Sequence, residues 1–444
     1  MGLTVAKLSD TLQTVFTAAA EQAARQAGLI RRRRLLTGPA FVQGLVFTWL
    51  RDPQASYEDL AAGVADAGAP LAVSALEGRF TPAAADCLRR VLEHAVGQLL
   101  AADPAAGTAL AAFSDVCLDD ASVIALPAAL AGLWPGCGGR GQGGCRAALK
   151  LYVRLGLRGG ALRHLQLLPG RTADQSAPLQ ALPLPPGGLR VADLGFFDLD
   201  ALQEQDRRGC YFLSKLQTGT LVADPRGDFA ALLAHLRRHR GRTLDKPVRL
   251  GRRHGLAARL LAVRLPKALV RRRRKRARAE AGRKGRTPDP RTLELCRWLV
   301  LVTNAPREKL SLPAALALYR ARWQVELLFK LWKGHGGIAA SRSGKPWRVL
   351  CEVYAKLLGM LVQHWVLLLR VWRYEDRSLV KAAKRVRARV AQLLDELPDA
   401  EGLKRVLTRI MRSLERGCRT QRRKKHPSTF QLLLHPDLLD STDT

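Results

Sequence analysis

The spacing of apolar positions changes along the chain, and each change predicts a different kind of element. Over residues 1–108 Ala, Leu, Glu and Arg recur at helical intervals, with turns at 51–56 (RDPQAS) and 66–70 (DAGAP). Within this region the stretch 56–80, SYEDLAAGVADAGAPLAVSALEGRF, predicts a helix, a short Gly turn and a second helix. That rhythm suits a DNA-reading helix-turn-helix or a plain helical hairpin. From about 113 the pattern becomes strand-like. Residues 115–126, 147–157, 161–170 and 189–197 read as strands separated by Gly and Pro turns, followed by a helix over 198–209 and a strand over 210–216. Together they predict a mixed α/β core. Residues 220–305 interrupt it with strand-like runs at 247–253, 256–266 and 297–304. Between these lies a basic run, RRRRKRARAEAGRKGR, at 271–286. Long helices return over 313–373, a basic helical tail follows over 378–427, and the last residues are polar and read as frayed.

Charge narrows the range of partners. The chain has 444 residues, 73 Lys+Arg against 38 Asp+Glu, and a net charge of +35. Part of the arginine excess fits genomic codon bias, but a single-sign field of this size favours a polyanion, nucleic acid first and anionic membrane second. The basic run at 271–286 is either a solvated, mobile segment or an arm that neutralises phosphates. The longest apolar run, 357–369, contains Gln363 and His364. It is shorter than the roughly 20 residues of a spanning helix, so no membrane segment is expected. The N-terminus carries Asp10 and has no signal-peptide pattern. Eight scattered cysteines, with Cys137 and Cys145 at a spacing unlike a zinc pair, read as reduced thiols of a cytoplasmic protein.

One helix combines these features. In YRARWQVELLFKLWK (319–333) a lone acid, Glu326, sits among basic and apolar residues. At about 100° per residue, with Tyr319 at zero, Arg322 falls at about 300°, Glu326 at about 340°, Lys330 at about 20° and Lys333 at about 320°. Five polar side chains thus share one narrow stripe on a mostly apolar helix, the reverse of an ordinary surface helix. The stripe faces either a functional cleft or an internal ion-pair ladder, since Arg322 and Lys330 each lie four residues from Glu326. Two further acids, Asp120 and Asp193, sit in or at the edge of apolar strands, where charge is costly unless paired or on a metal. Three carboxylates without His or Cys suit a hard cation such as Mg²⁺. Two such ions are the usual device for in-line displacement at phosphorus.

Tyr319-x2-Arg322-x3-Glu326-x6-Lys333 resembles the tyrosine–arginine–glutamate–lysine signature of bacterial DDE transposases of the "insertion sequence four" type. DDASVIALP (119–127) resembles the first-aspartate motif of that family on Asp120, and ADLGFF (192–197) the second on Asp193. Asp119 is the alternative first acid. Strand alternation puts it and Asp120 on opposite faces, and motif register favours Asp120.

The resemblance covers roughly residues 110–370. It implies a ribonuclease H-like core, a mixed sheet with flanking helices, interrupted by a β-rich insertion. The domains expected are a helical DNA-binding region 1–108, core 109–219, insertion with basic arm 220–305, core 306–375 and a basic helical region 376–444. It further implies that Asp120, Asp193 and Glu326 bind two Mg²⁺ or Mn²⁺ ions. Tyr319, Arg322, Lys333 and, on the same stripe, Lys330 would grip DNA. Trp298 or Trp323 would stack a flipped base, although a core Trp is the commoner fate. The expected activity is metal-dependent phosphodiester hydrolysis at transposon ends and strand transfer into target DNA. Its partner is double-stranded DNA, bound by a homodimer in a bacterial cytoplasm. The alternatives are an inactive DNA-binding protein on the same scaffold and a ribonuclease H-like nuclease.

Overall fold

A computed structural model of the chain describes residues 2–32, 35–103, 108–137, 146–283, 285–341, 343–372, 377–419 and 433. Among them are ten strands: β1 Val116–Leu126, β2 Ala147–Gly156, β3 Leu162–Pro169, β4 Leu189–Ala192, β5 Tyr211–Lys215, β6 Leu221–Ala223, β7 Ala230–Ala231, β8 Thr243–Leu250, β9 Leu256–Arg264 and β10 Trp298–Thr303. The architecture is mixed α/β, as the pattern predicts. The chain forms two compact units, and β1 runs through both. Cys145 and the glycine-rich stretch before it, and the C-terminal residues 420–432 and 434–444, lie outside the described residues.

The first unit comprises Met1–Ala105, Ala121–Thr172 and Gln324–Arg423. Its central helix, Pro346–Leu368, is buried at every residue from Arg348 to Leu368, and its few charged residues, Arg348, Glu352 and Lys356, are paired with one another. A helix buried all round belongs inside a bundle. Helices Gly38–Arg51 and Pro82–Gly97 pack against it. Thr37 caps the first of these by accepting the Ala40 N–H, with Pro39 in the first turn. The neighbouring helix, Tyr57–Asp66, starts at a capping box: Ser56 Oγ accepts the Asp59 N–H, and the Asp59 carboxylate accepts the Ser56 N–H.

Helices Gly38–Arg51 and Tyr57–Asp66 approach closely because small residues face each other. A Cβ at Gly44 would stand 2.6 Å from Val64 Cα, and one at Gly63 would stand 1.9 Å from Thr48 Oγ1. The expected helix, turn and helix of 56–80 is present as Tyr57–Asp66 and the short Val73–Glu77. In the same unit β2 pairs antiparallel with β3, Leu151 opposite Leu167, and the strand order is β3-β2-β1. The basic tail folds as Leu379–Arg387, Val390–Asp395 and Ala400–Arg416.

The second unit comprises, among the described residues, 108–120, 173–323 and 433. Its strand order is β1-β4-β5-β10-β9-β8-β6-β7. β1, β4 and β5 are parallel, and β10, β9, β8, β6 and β7 continue antiparallel. Phe197, Phe212, Leu236, Val248, Leu260, Trp298 and Val302 belong to one buried apolar cluster of this unit.

Three local readings differ from expectation. The strand predicted over 189–197 ends at Ala192, because the chain turns through a 3₁₀ segment, Leu194–Phe196. Strands β6 and β7 and helix Leu232–Arg238 lie in a stretch with no strong periodicity. The basic run is a helix, Lys267–Arg283, with no buried residue. Arg, Lys, Ala and Glu are good helix formers, so this segment can be ordered without a core. Two of its arginines fasten it: Arg273 Nη1 donates to Trp298 O at 2.6 Å, and Arg274 Nε to Leu293 O at 3.1 Å.

Two buried polar groups generate predictions. Asp119 and Arg190 form an ion pair at 2.6 Å with both side chains almost inaccessible. Removing one partner strands the other charge in the interior. Asp119→Ala should therefore cost about 3–5 kcal/mol in urea unfolding, whereas Asp120→Ala should cost much less. Equal costs would contradict the burial of Asp119.

His364 donates from Nε2 to Gly160 O at 2.7 Å, and burial pulls its pKa down to about 4. An unfolded histidine titrates near 6.5, so between those values the unfolded chain binds the extra proton. The stability is present above about 6.5 and is lost as pH falls toward 4. His364→Gln should abolish about 2 kcal/mol of the wild type's loss between pH 7 and pH 5, measured by urea midpoints.

Candidate active site at the end of β4

The register of three parallel strands lines up the polar residues. Asp119 stands opposite Ala192, and Ala192 opposite Ser214. The next residues along are Asp120, Asp193 and Lys215, on β1, the end of β4 and the end of β5. Neighbouring strands lie about 5 Å apart, so these three form a row where β4 and β5 stop. The ends of parallel strands are the usual place for ligand-binding groups in α/β folds. Alternation then sorts the two acids of β1. Asp119 turns inward to Arg190, whose guanidinium also lies 5.7 Å from the Phe196 ring. Asp120 instead accepts from Arg322 Nη1 at 2.8 Å.

The residues that meet this row arrive on the helix Leu312–Ala321. Ser311 caps it by accepting the Ala314 N–H, and Ala314, Ala315, Ala317, Leu318 and Ala321 are buried. That leaves Tyr319 on the edge, where its hydroxyl donates to Asp193 Oδ1 at 2.9 Å. Lys215 Nζ reaches the same oxygen at 3.3 Å. The Tyr319 ring has a cation on each count: Lys215 Nζ is 5.5 Å and Arg322 Cζ 5.9 Å from its centroid. Arg322 is the joint between this helix and the next, Trp323–Lys330, with αR backbone angles. The signature stretch is therefore two helices, not one.

The charges set the protonation states. Burial pushes the Asp193 carboxyl upward, but Lys215, Arg322, the Leu194 N–H and the Tyr319 hydroxyl outweigh it and hold the pKa below the usual carboxylate range. Burial, reinforced by the neighbouring Asp193 charge, raises the Tyr319 phenol well above its ordinary value despite Arg322. Tyr319 is thus a donor and Asp193 an acceptor at every working pH.

The remaining signature residues belong to the first unit. Glu326 and Lys330 lie on Trp323–Lys330, whose Gln324, Val325, Leu328 and Phe329 are buried. Lys333 falls in a π-helical turn, Leu331–His335, a local widening common at functional positions. Its Nζ donates to Val123 O at 2.5 Å, and burial lowers its pKa. The loop after this turn is held by a buried network. Lys356 Nζ donates to Gly337 O at 3.0 Å, to Ala340 O at 2.7 Å and to Glu352 at 2.5 Å, and Ser341 Oγ donates to Glu352 at 2.8 Å. Arg348 completes it, pairing with Glu352 and lying 4.5 Å from the Trp49 ring.

Of the two tryptophans, Trp298 is 6% exposed, within the apolar cluster and 4.8 Å from Arg264 Cζ, while Trp323 is 45% exposed. Among the described residues no three His, Cys, Asp or Glu side chains form a group that could hold a metal ion. The donor set nevertheless suits one. Asp120 and Asp193 are adjacent hard oxygen donors, and Asp193 is held ionised. Sequence reading missed Lys215 and Arg190. The first closes the strand YFLSK and the second alternates into the core from LRVA, so both were visible only as unexplained charges in apolar strands.

Residues 113–361 match the family described as the transposase DDE domain. The transposase for insertion sequence element IS231B of Bacillus thuringiensis subsp. berliner is 25% identical over 442 residues, covering 93% of this chain and 91% of that protein. The IS231F transposase of subsp. israelensis is 25% identical with the same coverage of both chains. The putative transposase InsL of IS186A from Escherichia coli (strain K12) is 38% identical over 104 residues, 23% of this chain and 28% of that protein. With more than half of its length matched by that family, the chain belongs to the DDE transposases of insertion sequences, enzymes that act on DNA with a divalent metal.

Proposed function

We propose that the chain is a cut-and-paste transposase of the "insertion sequence four" type, working from a ribonuclease H-like core with a β-rich insertion over 220–305. Residues 1–108 serve as a DNA-binding region and the basic tail from 376 as a further contact surface. The observation that carries the reading is the contact of two signature side chains, Tyr319 and Arg322, with the two strand-end aspartates, Asp193 and Asp120.

Asp120, Asp193 and Glu326 are the residues that would hold two Mg²⁺ or Mn²⁺ ions. Metal bound there would supply activation of the attacking hydroxyl and stabilisation of the leaving oxygen. Arg322, Lys330 and Lys333 bind the phosphates of the transposon end, and Arg322 does so as a planar, always-charged fork. Tyr319 keeps its proton and orients Asp193. Trp323, being exposed, stacks an extruded base, and Trp298 stabilises the insertion. Two subunits act together, because joining requires two ends.

Asp193→Ala and Glu326→Ala should each lower Mg²⁺-dependent nicking of end-bearing DNA by at least about a thousandfold, on the scale of losing a metal-centred charge-stabilising device. Binding of the same DNA should persist in both. Strand-joined products in the wild type distinguish transposition from simple nuclease action, and nicking that survives either substitution contradicts the proposal.

The exposed basic helix Lys267–Arg283 supplies a second test. Changing Arg271, Arg272, Lys275, Arg276 and Arg278 to Gln should flatten the slope of log affinity against log salt by up to about 4. An unchanged slope would remove this helix from the DNA footprint.

A further inference from the structure

The row Asp120, Asp193 and Lys215 contains one cation that no signature accounts for. Lys215 closes β5, next in register to Asp193, and is about one-third exposed. Its ammonium has two partners: the Asp193 oxygen at 3.3 Å and the face of the Tyr319 ring. That oxygen, Oδ1, also accepts the Tyr319 hydroxyl. Arg322, which also lies near that ring, pairs with Asp120 in the same manner. Two carboxylates are thus balanced by two side-chain cations. Both carboxylates are adjacent hard-oxygen donors, so a divalent ion and the two resident cations compete for the same oxygens.

We propose that Lys215 is an exchange cation. It occupies Asp193 while the site is without metal, is displaced when a divalent ion binds there, and is then available to a DNA phosphate. The proposal rests on the reading of Asp193 as a metal ligand. Several features favour exchange over a fixed ion pair. The contact is long for a charge-assisted bond. The four-carbon stem is flexible and about one-third in solvent. The Tyr319 ring offers the ammonium a second resting place. Leaving Lys215 in position would set an ammonium beside a divalent cation on one carboxylate oxygen. The consequence is coupling: metal would release a phosphate-binding cation, and phosphate, by holding that cation away, would favour metal.

The test measures Mn²⁺ binding to the full chain, without DNA, by electron paramagnetic resonance of free Mn²⁺. Lys215→Met should bind Mn²⁺ about tenfold more tightly than wild type, the scale of one nearby charge in a half-exposed site. Lys215→Arg should bind like wild type. Unchanged or weaker binding by Lys215→Met overturns the exchange. Asp193→Asn separates the two readings. If the wild type binds Mn²⁺ no better than Asp193→Asn, the metal assignment fails. If it binds better and Lys215→Met matches the wild type, only the exchange fails. Should Lys215→Met not fold, amine labelling of the wild type decides. Mn²⁺ should increase modification of Lys215, and an unchanged or reduced yield refutes the proposal.

Discussion

An ionised carboxylate at the end of a β-strand needs a cation, and this structure is organised around that need. Each acid on or just past these parallel strands has one: Arg190 for Asp119, Arg322 for Asp120, Lys215 for Asp193. The first pair is sealed in the interior and belongs to the fold. The other two are less deeply buried, and the contacts of Tyr319 with Asp193 and of Arg322 with Asp120 tie the helix Leu312–Ala321 and its C-cap to the row. Under the proposed function, the same electrostatic rule divides neighbouring residues of one strand into a structural acid and a metal ligand. Burial, not chemistry, draws the line.

The first unit meets a related constraint with different means. The segment bearing Glu326, Lys330 and Lys333 passes from α-helix to a π turn and then to a loop. That loop is tied down by Lys356 and Glu352 on the apolar central helix. Buried charges of this kind are costly to hold, and removing one partner leaves the other exposed to a low-dielectric interior. Their placement under the loop fixes the backbone after Lys333. Lys333 itself is bonded to the Val123 carbonyl on the second half of β1. Rigid supports behind a polar stripe are what positioning of charged ligands demands.

Much of this was legible in the sequence, for physical reasons. Asp120 and Asp193 stood out because charge in or at the edge of an apolar strand needs compensation. Glu326 and Arg322 stood out because five polar residues shared one stripe of an otherwise apolar helix. Lys215 did not, since a lysine at a strand end is ordinarily solvated, and only parallel register reveals what lies beside it. The joint at Arg322 and the π turn at Lys333 were hidden because no Gly or Pro marks either of them in the stretch 319–333. The order of the basic run was hidden as well. Its charges argue for solvation, while its helix propensity and two arginine bonds to backbone carbonyls give it a defined path.

The pairing of strand-end acids with exchangeable cations is tested most directly by locating a metal. Anomalous diffraction from crystals of the full chain grown with Mn²⁺ would do this. A manganese peak within bonding distance of Asp193 and Asp120, with Lys215 and Arg322 turned away from those carboxylates, is the expected result. A peak elsewhere, with Asp193 still paired to Lys215 and Asp120 to Arg322, would contradict it.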